Sequence, residues 1–352
     1  IRSRVMFPSR KKRRMVMSSS KFLSTVTVWS ERLWKFGLLE RDFYYEPFQG
    51  PGNRTLWIST SEPTGHDVFF GGASKVYNVI DTRQSYLQKI VVQGLKSLHY
   101  RKEADKSVHF SYEMVALSPK SLNELNLVVS ESDRDRSFVE VSGRKGLGIK
   151  ADDLLDRLEE KARAEVEQRN PEFSREQSDA IARAVSVGAL RYFMLKFTRN
   201  SLIVFDFDEA LSFEGETGPY LQYTVVRINS IFRKLEEREG LTEDQLLRLR
   251  DTFDWNPDDA EEEEKNDFWE LVLYASQLEE EVLRSIHALE FSHLAKFTFN
   301  LSQKLNGYYH KYSILSENNT ARKNGRILTI SFVRDVLREA LTLMGIPEPG
   351  RM

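Results

Sequence analysis

Between Ser142 and Gly146 the chain reads SGRKG, which places two adjacent cations between glycines. Gly143, Gly146 and Gly148 leave the backbone around Arg144 and Lys145 permissive. Such a loop suits phosphate chemistry. It can close over a polyphosphate and neutralise charge that develops during transfer, with the Ser142 hydroxyl as a further donor. The same five residues would also serve as a surface turn with solvated cations, so alone they leave both readings open. A second polar group lies in FNLSQKLNGYYHKY, where Asn306, Tyr308, Tyr309, His310 and Lys311 come together. Aromatic rings can stack on unpaired bases, while amides and cations can meet base edges and phosphates. Tyr308 continues an apolar stripe of helical spacing and is expected in the core. Arg227, in YTVVRINS, lies opposite much of another stripe and suits either a phosphate contact or plain solvation. The carboxylates of DFDEALSFEGE (Asp206, Asp208, Glu209, Glu214 and Glu216) lack a histidine or a patterned loop. They are expected to form a solvated connection, not a metal site.

These residues need elements to hold them. TLWIST, KVYNVI (Lys75 to Ile80) and SVHFSYEMVAL (Ser107 to Leu117) read as strands. Between the last two, Leu87, Ile90, Val91, Leu95 and Leu98 recur at helical spacing, which predicts a βαβ unit with parallel strands. After Lys150 the pattern turns helical, with Asp152 and Asp153 near a positive helix start. SLIVFDF is a short extended piece. From Gly218 the chain reads as a helical bundle. Its stripes are Leu221, Val225, Ile228 and Phe232; then Phe291, Leu294, Thr298, Leu301, Leu305 and Tyr308; then Ile327, Ile330, Val333, Leu337 and Leu341. DTFDWNPDDAEEEEKND is expected as a solvated loop and helix start.

The composition bounds the chemistry. The 352 residues suffice for two domains, and a net charge of -2 means that any nucleic-acid contact must use a local patch. With no cysteine, disulfides, thiolate metal sites and a cysteine nucleophile are excluded. The six histidines form no H-E-x-x-H pattern. No apolar run reaches the roughly 20 residues of a membrane span, and no signal peptide is visible, so a cytoplasmic protein is expected. The basic start, IRSRVMFPSRKKRRMVMSSS, is read as the edge of a longer chain in preference to a nucleic-acid arm.

KVYNVIDTRQSYLQKIV, HFSYEMVALS, VSGRKGLGIKADDLL, GPYLQYTVVRINSIFRK, NGYYHKYSIL and LREALTLMGIPEPGRM follow in that order. Together they closely resemble the carboxyl-terminal half of arginyl-tRNA synthetases, over roughly Leu33 to Met352. The resemblance implies an α/β Rossmann-type catalytic domain, partial here, over residues 1–150. A helical connecting region (151–217) and an all-α helical-bundle anticodon-binding domain (218–352) would follow. It implies ATP-dependent attachment of arginine to its tRNA through arginyl-adenylate, with Mg²⁺ on the phosphates. The partners would be tRNA and L-arginine, with no membrane, and the protein would be a monomer. Ser142 to Gly146 would then be a degenerate form of the second class I signature. Lys145 would stabilise the pyrophosphate leaving group, with Ser142 and Arg144 beside it and Gly143 and Gly146 against ATP. His109, Met114 and Val115 would lie by the adenine, and Gln84 and Asp81 near the arginine. Tyr309, Asn306, Arg227 and Lys311 would face the tRNA. The first class I signature, His-Ile-Gly-His, is absent, and TVTVWSERLWKFGLL lacks the Tyr and Asp that help to hold arginine in the family. A non-catalytic tRNA-binding module derived from such an enzyme is the alternative. The cysteinyl enzymes, with a similar helical domain, fit less well because zinc ligands are lacking.

Overall fold

Gly52 and Asn53 both take positive φ, 74° and 58°, and turn the chain back on itself. The turn joins β1 (Tyr44–Gly50) to β2 (Arg54–Thr60) in an antiparallel hairpin, with Tyr44 opposite Thr60 and Gly50 opposite Arg54. TLWIST is thus a hairpin arm. The computed structural model describes residues 32–33, 35–38, 44–68, 71–127, 136–139, 150–252 and 261–352. The basic start, most of TVTVWSERLWKFGLL and the whole of Ser142 to Gly146 lie outside the described residues.

The chain divides into two compact units, Ile1–Tyr112 and Glu113–Met352. In the first, β3 (Val76–Asp81) runs into a single 3-10 turn and then α1 (Ser85–Ser97). A short α2 (Arg101–Asp105) leads to β4 (Ser107–Tyr112), which pairs parallel with β3. This is the expected crossover, with Val91 and Leu95 of α1 buried.

The expected strand from Ser107 to Leu117 is in fact two. At Glu113 the main-chain N–H donates to the Arg199 carbonyl (2.8 Å), and β5 (Val115–Leu117) pairs parallel with β6 (Ile203–Phe205) instead. A short α3 (Pro119–Glu124) follows β5, capped by the Ser118 hydroxyl. Helices α4 (Ala151–Arg169) and α5 (Arg175–Leu195) pack against this pair. Leu158, Ala162, Val185, Phe193, Phe205 and Phe207 form one core. Ser174 and Gln177 close a reciprocal cap at the start of α5.

After α6 (Phe207–Leu211) come α7 (Gly218–Glu239), α8 (Glu243–Thr252), α9 (Glu262–Ala275) and α10 (Leu278–Ala288). The bundle closes with α11 (Ser292–Lys311) and α12 (Thr320–Met344). Its core holds the predicted stripes, from Leu221 to Phe232, Leu294 to Tyr308 and Ile327 to Leu341. Phe291 is the exception: it is exposed, because it precedes the first turn of α11. The acidic run departs from expectation too. Glu264 is buried and accepts two bonds from Arg326 (2.6 and 3.0 Å), so part of the predicted solvated segment faces the core. Among the described residues no helix is long and apolar enough to cross a membrane.

Candidate nucleic-acid interface

The start of α7 is set by backbone contact. A Cβ on Gly218 would lie 2.2 Å from the Gly188 carbonyl oxygen, so α5 and α7 touch where neither has a side chain. Thr217 caps the helix and Pro219 fills its first turn, where no N–H partner is needed. Over Gly188 lies Gln222, whose Nε2 donates to the Ala184 carbonyl (2.8 Å) and the Pro347 carbonyl (2.7 Å). Asn229 donates to Glu348 (2.6 Å), which also accepts from Arg338 (2.8 and 2.9 Å). GPYLQYTVVRINSI and LMGIPEPGRM, far apart in sequence, therefore clasp each other. Burial works to raise the Glu348 carboxyl, but the Arg338 guanidinium and the Asn229 amide outweigh it and hold it below the usual range.

This clasp fixes α7 beside α11, where three of the four sequence-predicted RNA-contacting residues meet. Asn306 Nδ2 donates to the Tyr220 hydroxyl (3.0 Å) and to Thr224 Oγ1 (3.2 Å). Its Oδ1, oriented by those two bonds, accepts from Arg227 Nη1 (3.4 Å). The Arg227 guanidinium lies 4.8 Å from the centre of the half-buried Tyr309 ring. A guanidinium with five N–H donors, one aromatic face and one amide make a group that can meet a phosphate or a base plane. Tyr308, one residue from Tyr309, is buried in the core as its spacing predicts.

Lys311 is placed elsewhere. Its ammonium is held by Asp267 (2.8 Å) and Glu263 (3.0 Å) of α9, and those carboxylates push its pKa up. Two residues past Tyr309, it has turned roughly 200° around the helix, so it cannot share that face.

The structure adds a recess of about 320 Å³ that the sequence did not reveal. Arg233, Lys234 and Arg351 line it, with Asn170 and Ser230 as polar neighbours and Glu172 and Glu237 at its edges. Arg233 donates to Ser230 (2.8 Å), and none of the three cations forms an ion pair among the described residues. Most neighbouring cations are neutralised, as Lys196, Lys296, Lys304, Arg326 and Arg338 show. Only the ends of two motifs, IFRK and PGRM, hinted at this site; their meeting in space needed the clasp.

The residues expected around ATP and arginine are less gathered. In the first unit, His109 Nε2 bonds the Ile80 carbonyl (2.8 Å) and so ties β4 to β3. Asp81 caps the turn and takes Arg83 through both oxygens (2.7 to 3.2 Å); these bonds hold its carboxyl down at about 2. Gln84 is exposed. One turn later Gln88 is buried, accepting from Asn78 (3.0 Å) and Arg32 (3.3 Å), a polar group the sequence did not single out. Met114 and Val115 belong to the second unit. The Met114 N–H donates to the Glu113 carboxylate (3.1 Å) and its carbonyl accepts from Ile203 (3.3 Å), while Val115 is exposed.

The carboxylates of DFDEALSFEGE are not the solvated connection expected. Asp206 caps α6 and accepts from Ser118 (2.6 Å); Asp208 pairs with Lys120 and with Lys161 (2.6 Å). Lys120 first, and then Lys161, holds the Asp208 carboxyl below its ordinary range. Glu209 takes Lys196 (2.9 Å) and Glu216 takes Lys296. They staple the strand pair to the bundle. Among the described residues no group of three or more His, Asp or Glu is placed to hold a metal ion.

Comparison with known proteins places these observations. Residues 221–352 match the family model of the DALR anticodon binding domain. Over 99% of its length the chain is 31% identical to the arginine–tRNA ligase of Pyrococcus abyssi, covering 50% of that protein. Over 91% it is 32% identical to the arginine–tRNA ligase of Thermus thermophilus, covering 48%. The solved arginyl-tRNA synthetase of Thermus thermophilus superposes with a TM-score of 0.70 at 27% identity, over 94% of this chain and 49% of that one. The chain thus spans about half the length of the curated relatives it matches.

Proposed function

We propose that this chain, which belongs to the arginyl-tRNA synthetase family and matches its carboxyl-terminal half, supplies the tRNA-binding portion of an arginine–tRNA ligase together with part of its catalytic domain. The observation that carries the tRNA contact is the Arg227–Asn306–Tyr309 group on the bundle, with the unpaired cations Arg233, Lys234 and Arg351 in the recess along the same helix. In this reading Tyr309 stacks on an unpaired base, Asn306 and Arg227 meet its edge or its phosphate, and the recess takes backbone phosphates. Residues 1–150 form the second half of a Rossmann-type catalytic domain, 151–217 connect, and 218–352 bind the anticodon region of the tRNA.

In the whole ligase, the carboxylate of arginine attacks the α-phosphate of ATP, and arginyl-adenylate forms as pyrophosphate leaves. The terminal ribose hydroxyl of the tRNA then takes the aminoacyl group. Lys145, with Arg144 and Ser142, neutralises the departing pyrophosphate, and Gly143 and Gly146 let the loop close. The β3–β4 pair, with His109, supports the adenine side with Met114 and Val115, and Gln84 and Asp81 lie toward the arginine. Mg²⁺ arrives on the phosphates of ATP, which suits a cation that keeps much of its water. Without the His-Ile-Gly-His signature the 352 residues alone do not activate arginine.

The tRNA-binding reading is tested by titrating the chain with an arginine-accepting tRNA transcript at several salt concentrations. Affinity should fall as salt rises, with a slope that Arg233→Ala and Arg351→Ala reduce. Binding that ignores salt, or an absence of binding, overturns it. In the full-length ligase, Lys145→Ala should slow pyrophosphate exchange far more than it weakens arginine binding. Equal losses would remove Lys145 from that role.

A further inference from the structure

Gly307 lies well inside α11, where glycine destabilises a helix relative to alanine. Gly188 and Gly218 stand where two backbones touch, and Gly215, Gly240 and Gly345 have positive φ. Gly307 has neither reason. Its backbone is helical, and a Cβ built on it would meet nothing within 4 Å. It is exposed, on the open face that it shares with Gln303 and His310. At 100° per residue, Asn306 and Tyr309 flank that face on one side, and Lys304 and Lys311 on the other. The missing side chain leaves a recess of about 140 Å³ whose lining includes Gly307, Tyr308, Lys304 and Lys311. Nothing within the chain uses this opening, yet it adjoins the group that offers a stacking ring, an amide and a guanidinium.

We propose that Gly307 is a positioning residue that lets a nucleotide of the bound RNA lie directly on the α11 backbone beside Asn306 and Tyr309. This rests on the RNA-binding reading above. A side chain here would hold the nucleotide off the helix and misplace its base against Tyr309. The cost in helix stability is then the condition for close approach.

The test uses Gly307→Ala and Gly307→Gln in the 352-residue chain, with Tyr309→Ala beside them. Melting temperature and affinity for an arginine-accepting tRNA transcript are both measured. Gly307→Ala should raise the melting temperature by about 2–4 °C, as helix propensity predicts. The same change should weaken tRNA binding roughly tenfold, and the bulkier Gly307→Gln further. If both Gly307 variants bind as the wild type does while Tyr309→Ala loses affinity, the role of Gly307 is overturned and RNA binding stands. If Gly307→Ala lowers the melting temperature, the glycine serves the fold and the proposal fails. If the wild-type chain binds no tRNA, both readings fall together.

Discussion

Two adjacent tyrosines on α11 should respond to truncation in opposite ways. Tyr308 is buried in the bundle core, its ring 5.0 Å from that of Tyr312, and burial pushes its hydroxyl pKa up. Removing that ring leaves a cavity in a packed core, at a cost of about 3–5 kcal/mol. In a domain of this size that corresponds to a fall of roughly 6–20 °C in melting temperature. Tyr309 is half-buried, and its specific partner is the Arg227 guanidinium at 4.8 Å. Losing that contact costs about 1 kcal/mol of stability. Losing a base stacked on the ring costs about 1–3 kcal/mol of binding, or roughly 5- to 150-fold in affinity. Thermal melts and tRNA titrations on Tyr308→Ala and Tyr309→Ala separate the two, and Tyr309→Ala should lose most against tRNA carrying the cognate anticodon. A Tyr309→Ala variant that binds like the wild type but melts as early as Tyr308→Ala would refute the assignment.

Gly218→Ala should destabilise the second unit by about 1–3 kcal/mol in denaturant titrations, because the new methyl overlaps the Gly188 carbonyl. Glu264→Gln should cost about 3 kcal/mol by the same measurement, since it strips the buried Arg326 of its two-point partner and leaves Glu317 (2.9 Å) as the remaining carboxylate. Glu348 has a folded pKa below its unfolded value of about 4.3, so its stabilisation is fully present above that pH and is lost as the pH falls through the folded value. The melting-temperature gap between wild type and Glu348→Gln should therefore be open at pH 7 and close below about pH 4. The purified 352-residue chain, given ATP, arginine, Mg²⁺ and tRNA, should show no pyrophosphate exchange; robust exchange would mean that another segment replaces the missing signature.

The bundle was legible because its helices are long and each buries one stripe. Leu221, Val225, Ile228 and Phe232 fall every three or four residues, and that periodicity survives any detail of packing. It also separated Tyr308 from Tyr309. Short elements carried no such margin. SVHFSYEMVAL alternates well enough to read as one strand, and only the Arg199 carbonyl, far along the chain, marks where β4 gives way to β5. Charge was misread for a related reason. Composition treats DFDEALSFEGE and EEEEKND as solvated, whereas Asp206, Asp208 and Glu264 are spent on caps and partners that sequence does not show. Arg227, Asn306 and Tyr309 were each nameable, but their meeting depends on the crossing of α7 and α11; Lys311, close in sequence, was lost to a turn of the same helix. The recess with Arg233, Lys234 and Arg351 was hidden by the distance between its parts.

The bonds from Gln222 to Pro347 and from Asn229 to Glu348 join residues 125 and 119 positions apart. A ribosome adds about 5–20 residues per second, so α7 waits many seconds for the partners that fix its start. During that interval its polar amide side chains have no final acceptor or donor, and its apolar stripe lacks the cover of α12. The helical domain is thus poorly suited to folding piece by piece as it emerges. A stalled or shortened nascent chain that stops before Pro347 would expose that stripe to chaperones and proteases, which ties the quality control of this domain to the completion of its last few codons.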